Sequence, residues 1–195
     1  MPALPRHKMT AEEFLAWSEA EPKEAGRFEL WDGEVIVKHG AAGDMNAERS
    51  QHWAMKAALY RAFFTAVRSS KLDGDVVIGG ASVPLPNSRY AEPDLLVYLG
   101  AKVPRDTIVV PEPVIICEVL SPATARFDLS LKVDGYFSLP SVQHYIIADP
   151  DKPLLIHHAR GNGRALQTRI ISDASEGLTL DPPSLTLDLT EIFAD

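Results

Sequence analysis

The chain has 195 residues, 46% of them hydrophobic and 24% charged, with 19 basic against 27 acidic residues and a net charge of −8; that size fits one domain spanning residues 1–195, and the composition excludes disordered, collagen-like and low-complexity chains. One cysteine, Cys117, excludes an intramolecular disulfide framework and a cysteine-built zinc site, and with no apolar run near the ~18 residues of a membrane span and no apolar core in the opening MPALPRHKMTAEEF, a cytoplasmic protein with no membrane partner is expected. The acidic balance counts against non-specific nucleic-acid binding by phosphate neutralisation, while carboxylates are the ligands of hard divalent cations.

Thr10 followed by Glu13 forms a capping box and predicts a short helix to about Glu19, with Phe14 and Trp17 facing inward. FELWDGEVIVK then predicts two strands joined at Asp32-Gly33, where both turn residues favour positive φ. A long helix is expected from about Met45 to Ser69, its apolar stripe built from Trp53, Leu59, Tyr60, Phe63, Phe64 and Val67. Asp75–Leu85 reads as one strand, closed by Pro84, Pro86 and Asn87, and AEPDLLVYLG as a second, entered through Pro93. VIICEVL has the continuous apolar character of a buried central strand. Ser121-Pro122 and Thr124 then start a helix lasting to about Leu139, where Pro140 stops it. HYIIADP, LLIHHA, ALQTRIIS and SLTLDL are further strands. The order predicts a mixed α/β domain, a central sheet flanked by helices, with an N-terminal helix and hairpin.

Glu118 is the residue that most needs explaining. Period-two alternation puts Val114, Ile116, Glu118 and Leu120 on one face of its strand and Ile115, Cys117 and Val119 on the other, so a carboxylate stands among apolar side chains on a covered face. Burial of that kind requires an ion-pair partner, a proton or a metal; an Arg or Lys at the open end of the strand is the plain alternative. Asp94 opens Leu95-Leu96-Val97 after a proline and by itself would merely cap a turn. If the two strands are neighbours, the pair is a minimal cradle for Mg²⁺ or Mn²⁺.

Asp128 and Lys132 are spaced as a surface i,i+4 ion pair, with Tyr136 four residues further on. His52 and Lys56 fall in one sector of the long helix with Trp53, Tyr60, Phe63 and Val67. A core histidine satisfied by one hydrogen bond and a snorkelling lysine are the expectations there. His157 and His158 point to opposite sides of a strand and cannot chelate together. Cys117, in an apolar strand, is poorly placed to be a thiolate. Arg49, Lys56, Arg61 and Arg68 spread over two stripes of the long helix, which predicts modest phosphate tracking.

The segments FELWDGEVIV, EPDLLVY, ICEVLSPAT, then Asp128 with Lys132 and Tyr136, then HYIIADP, resemble the Uma-two-type family of putative restriction endonucleases, within the PD-(D/E)xK nuclease superfamily. The resemblance runs from about Thr10 to Pro150 and extends to the SLTLDLTEIF tail. It implies a restriction-endonuclease-like core and metal-dependent hydrolysis of nucleic acid, DNA foremost. Pro93-Asp94 would be the "PD" and Glu118 the second acid after a gap of 23 residues, together holding Mg²⁺ or Mn²⁺ with a carbonyl near Val119. The lysine expected two residues after the acid is replaced by Leu120; the resemblance assigns its role to Lys132 on the following helix. His52, Glu29 and Glu34 match recurrent polar residues of the family, and either glutamate could approach the site. A symmetric homodimer would suit a duplex substrate. Two other readings stay open: a non-catalytic nuclease-like binding module, favoured by the missing lysine and the charge of −8, and hydrolysis of RNA or a small phosphoester.

Overall fold

The computed structural model describes residues 4–21, 26–39, 50–101, 103–104, 108–121, 125–163 and 165–193. The capping box forms as expected: the Thr10 amide donates to Glu13 and the Glu13 amide to the Thr10 hydroxyl, at 2.7 and 3.2 Å, opening α1 (Ala11–Ala20). Phe14 is buried beneath it, and Trp17 meets Phe28 edge-on with ring centroids 4.8 Å apart. The hairpin follows, β1 (Arg27–Trp31) pairing with β2 (Glu34–His39). Asp32 and Gly33 both adopt positive φ at its turn. A register shift between Arg27 and Phe28 interrupts the far end of the ladder.

The long helix α2 spans Ser50–Ser70; the first residues of the expected helix, Met45 to Arg49, lie outside the described residues. Leu59, Phe63 and Val67 are buried, but Trp53 is 57% exposed and Phe64 also faces outward. The inward stripe is set by small residues, Ala58, Ala62 and Ala66, which let the helix lie close on the sheet. The single strand expected over Asp75–Leu85 is two: β3 (Gly74–Ile78) and β4 (Val83–Leu85), in different sheets. Gly79 and Gly80, both at positive φ, turn the chain between them, a conformation open to glycine at little steric cost.

β5 (Arg89–Ala91), β6 (Leu95–Leu99), β7 (Ile115–Val119), β8 (His144–Asp149), β9 (Leu154–Arg160) and β10 (Leu166–Ile171) complete the main framework. Six strands form the central sheet in the order β10-β9-β8-β7-β6-β3. The β7–β8 pair is parallel and the others antiparallel. A second sheet, β2-β1-β5-β4, carries the hairpin. The helix expected up to Leu139 is broken into α3 (Ala125–Asp128) and α4 (Leu131–Phe137); Pro122 and Thr124 lie outside the described residues. A two-stranded ribbon, β11 (Leu178–Leu180) with β12 (Leu185–Leu187), closes the chain.

Alternation on β7 divides the core. Ile115, Cys117 and Val119 pack with Leu59, Phe63 and Val67 of α2 and with the leucines of β11 and β12. Ile116 faces the opposite layer, with Trp31, Leu85, Tyr136, Tyr145 and Ile147. Glu118 shares the Ile116 face and therefore points between the central sheet and the hairpin layer. Among the described residues, no helix is long and apolar enough to cross a membrane.

Candidate active site

Asp94 and Glu118 are brought together by sheet register. β6 and β7 run antiparallel with Leu95 opposite Cys117, so one step further along the ladder sets Asp94 opposite Glu118. Both are almost wholly buried, at 2% and 1% exposure. Asp94 is anchored through Oδ2, which accepts the Val119 amide at 2.8 Å.

Glu118 is gripped from two sides. Its Oε1 accepts from Lys132 Nζ at 2.8 Å and from the Tyr136 hydroxyl at 2.6 Å, one turn apart on α4. Its Oε2 accepts from Lys38 Nζ at 3.1 Å. Lys132 also lies 3.0 Å from Asp128 Oδ1 and 3.3 Å from Glu29 Oε1. The expected surface pair of Asp128 and Lys132 is thus a correction: both are 1% exposed. The reason is the fold, since α4 turns Lys132 toward Glu118 of β7 and the end of α3 sets Asp128 beside it. Tyr145 fixes the approach by donating to the Asp128 carbonyl at 3.0 Å.

The hairpin supplies two groups. Glu29 is buried, with Oε1 accepting the Glu92 amide at 2.9 Å and Oε2 the Trp31 indole N–H at 3.0 Å. Lys38 was missed by the sequence reading. Its ammonium lies 3.3 Å from Asp94 Oδ1 and 4.0 Å from Glu29 Oε1, besides bonding Glu118 and the Glu92 carbonyl. Glu34, the other hairpin acid expected to approach the site, does not. It is exposed beside the turn, four residues and about 13 Å of strand from Lys38.

The opposite layer contributes α2. His52 Nε2 is 2.9 Å from the Val119 carbonyl and 3.8 Å from Asp94 Oδ2, so it is a buried histidine with a backbone partner that also borders the acids. Lys56, one turn on, is buried with Nζ 3.9 Å from Asp94 Oδ1, where snorkelling to solvent was expected. Arg49 lies outside the described residues.

Burial pushes the Glu118 carboxyl up to about 7, reinforced by Asp94 and Asp128 and opposed by Lys132 and Lys38. Glu29 goes the other way: burial opposes its charge, but Lys132 and Lys38 together hold it below the ordinary carboxylate value. Burial works against the Lys132 ammonium too, yet Glu118, Glu29 and Asp128 raise it well above its ordinary value. Cys117, behind the site, is raised by burial and is no thiolate.

No group of three or more His, Cys, Asp or Glu side chains is arranged to hold a metal among the described residues. The donor set nevertheless suits a hard cation. Asp94 Oδ1, Glu118 Oε2 and the Glu92 carbonyl converge on one point, and a cation, the Lys38 ammonium, already stands there. Two carboxylates, a carbonyl and water are an ordinary complement for Mg²⁺ or Mn²⁺. A separate cavity of about 530 Å³ is lined by Arg89, Phe137 and Arg160. Its guanidiniums are committed elsewhere, Arg89 to Asp32 and Asp134 and Arg160 to three backbone carbonyls.

The family model described as putative restriction endonuclease matches residues 11–190. An uncharacterized protein of Synechocystis sp. is 25% identical over 167 residues, covering 83% of this chain and 80% of its own length. A putative nuclease of Anabaena variabilis, known from its crystal structure, superposes with a TM-score of 0.72 over 95% of this chain and 98% of its own, at 16% identity. That likeness shows the restriction-endonuclease-like fold.

Proposed function

The chain belongs to the Uma2 family of putative restriction endonucleases, and from that premise we propose that it is a divalent-metal-dependent endonuclease, hydrolysing phosphodiester bonds in nucleic acid, with DNA the first substrate to try. The observation that carries this reading is the convergence of Asp94 Oδ1 and Glu118 Oε2 from neighbouring strands on a single cation position. Asp94, Glu118 and the Glu92 carbonyl would hold Mg²⁺ or Mn²⁺. Such an ion supplies Lewis-acid polarisation of a phosphoryl oxygen and a more acidic bound water.

The chain's own groups divide the remaining work. Lys132, held at Glu118 Oε1 rather than Oε2, takes the role of the missing lysine of the E-x-K pattern in this reading. There it orients the attacking water or offsets charge developing on phosphate. Tyr136 fixes the carboxylate plane of Glu118. Trp31 and the Glu92 amide fix Glu29, which in turn holds Lys132 in place. His52 ties α2 to Val119 beside the acids. Cutting both strands of a duplex would call for two copies of the chain.

The test is cleavage of supercoiled plasmid, single-stranded DNA and RNA with Mg²⁺ or Mn²⁺, by the wild type and by Asp94→Ala and Glu118→Ala. Metal-dependent nicking lost in both variants is the expected result. Cleavage that survives either substitution refutes the assignment. One observation favours the non-catalytic alternative: both oxygens of Glu118 already have protein donors. A folded wild type that binds Mn²⁺ to no extent and cuts none of the three substrates would establish that alternative.

A further inference from the structure

Resting on the metal-site reading above, we propose that Lys38 is a tethered competitor for the divalent cation: its ammonium fills the cation position between Asp94 and Glu118, and a metal ion binds there only when Lys38 swings out. The geometry separates Lys38 from the other lysines. An ammonium has three hydrogens to give; Lys38 donates to Glu118 Oε2 and to the Glu92 carbonyl and lies 3.3 Å from Asp94 Oδ1 as an ion pair. These are the oxygens that would ligate a metal. Lys132 instead takes Glu118 Oε1, 2.8 Å away on the other side of the carboxylate, and can stay while Oε2 changes partner. Lys56 Nζ stands further off, 3.9 Å from Asp94 Oδ1.

A dication and an ammonium cannot share two carboxylate oxygens inside a buried site. Like charges a few ångströms apart repel strongly where water is excluded. Lys38 sits near the end of β2, which among the described residues is the outermost strand of its sheet and pairs with β1, and its four-carbon stem is flexible. In the metal-free protein the carboxylates meet a resident cation in place of one another's charge. It also lowers metal affinity, since every binding event must first displace Lys38.

The experiment is Mn²⁺ calorimetry on the full-length wild type, Lys38→Met and Glu118→Gln at one pH. Alongside it, acetic anhydride labelling of the wild-type lysines is read by mass spectrometry, without Mn²⁺ and at saturation. The expected result is at least tenfold tighter Mn²⁺ binding by Lys38→Met than by wild type, with binding lost in Glu118→Gln. Labelling of Lys38, protected in the free protein, should rise at least severalfold with Mn²⁺ while that of Lys132 does not change. Equal or weaker Mn²⁺ affinity in Lys38→Met overturns the competitor role and leaves the metal site standing. No binding by either wild type or folded Lys38→Met overturns the metal site and the competitor together. Should Lys38→Met fail to fold, labelling decides alone: Lys38 still protected at saturating Mn²⁺ overturns the proposal.

Discussion

Replacing Lys132 by Met tests whether the site is held together by charge. The substitution preserves most of the volume, so overpacking and cavity effects stay small, but it removes the cation within 3.3 Å of Glu118, Asp128 and Glu29. Breaking a buried ion pair from one side costs about 3–5 kcal/mol. With a urea m-value of about 2 kcal/mol/M, the unfolding midpoint should fall by roughly 2 M at pH 8. The loss should shrink on acidification. Without Lys132, which opposes the upward push of burial on Glu118 and Glu29, those two carboxyls rise above their unfolded values, so the folded variant binds the extra protons and recovers stability as pH falls toward 5. Adding Glu118→Gln should recover part of the loss, because it removes one of the uncompensated charges. Urea titrations followed by circular dichroism at pH 5 and pH 8 measure all three effects. A loss below about 1 kcal/mol at pH 8 would mean the ammonium is solvated like a surface pair. A loss independent of pH would mean packing, not charge, was removed.

Tyr136→Phe deletes the 2.6 Å donor to Glu118 and should lower stability by about 1.5–3 kcal/mol, the range for a hydrogen bond to a charged group, as read by urea denaturation. Gly135→Ala on α4 would set a Cβ 2.8 and 2.9 Å from two atoms of the Trp31 ring. The strain of about 1–3 kcal/mol should exceed the helix-propensity gain of about 1 kcal/mol, lowering the thermal midpoint and altering the near-ultraviolet tryptophan signal. At the far end of the sheet, His157 Nε2 donates to His144 Nδ1 at 2.9 Å, and His144 Nε2 donates to the Pro182 carbonyl at 2.8 Å. Burial, with His144 and Arg169 nearby, lowers His157 from 6.5 to about 4. The unfolded chain therefore takes up the proton first, and stability should fall by roughly 1–3 kcal/mol as pH drops from about 6.5 to about 4; His157→Gln should flatten that part of the urea-midpoint profile.

Alternation alone made Glu118 conspicuous, because a seven-residue apolar run leaves no exposed face for a carboxylate, and the structure buries it as that pattern requires. Asp94 was legible only as a candidate, since the register that sets it opposite Glu118 is a long-range property. The Asp128–Lys132 spacing was visible, but helical periodicity cannot say which face a short helix turns inward; that is decided by where β7 and the hairpin lie. Lys38 carried a usable signal that went unread. The two-residue turn puts Trp31 opposite Glu34 and Glu29 opposite Ile36, so alternation sets Lys38 on the face of Glu29. A lysine and a glutamate on one inward face of a hairpin are already an ion-pair candidate. The register shift at Arg27 is what the sequence could not supply. Trp53 misled for the opposite reason: the alanines at 58, 62 and 66 define the packed side of α2, while the large aromatics do not.

Gathering Lys38, Lys56 and Lys132 with Glu29, Asp94, Glu118 and Asp128 in one buried site is a poor way to stabilise a fold. Apolar side chains of the same volume would do as well or better. On the function proposed above, the arrangement serves as a charge balance for an anionic ligand. With a net charge of −8, the protein as a whole repels a polyanion, so attraction must be local. The described ionisable groups of the site carry one more carboxylate than ammonium. Exchanging the Lys38 ammonium for a dication would make the site more positive by one charge, the amount by which a phosphodiester is negative. If metal entry and Lys38 departure are coupled in that way, the site becomes receptive to phosphate only when it is loaded. With a net charge of −8 leaving little long-range attraction for a polyanion, cleavage should then depend steeply on metal concentration and only shallowly on salt.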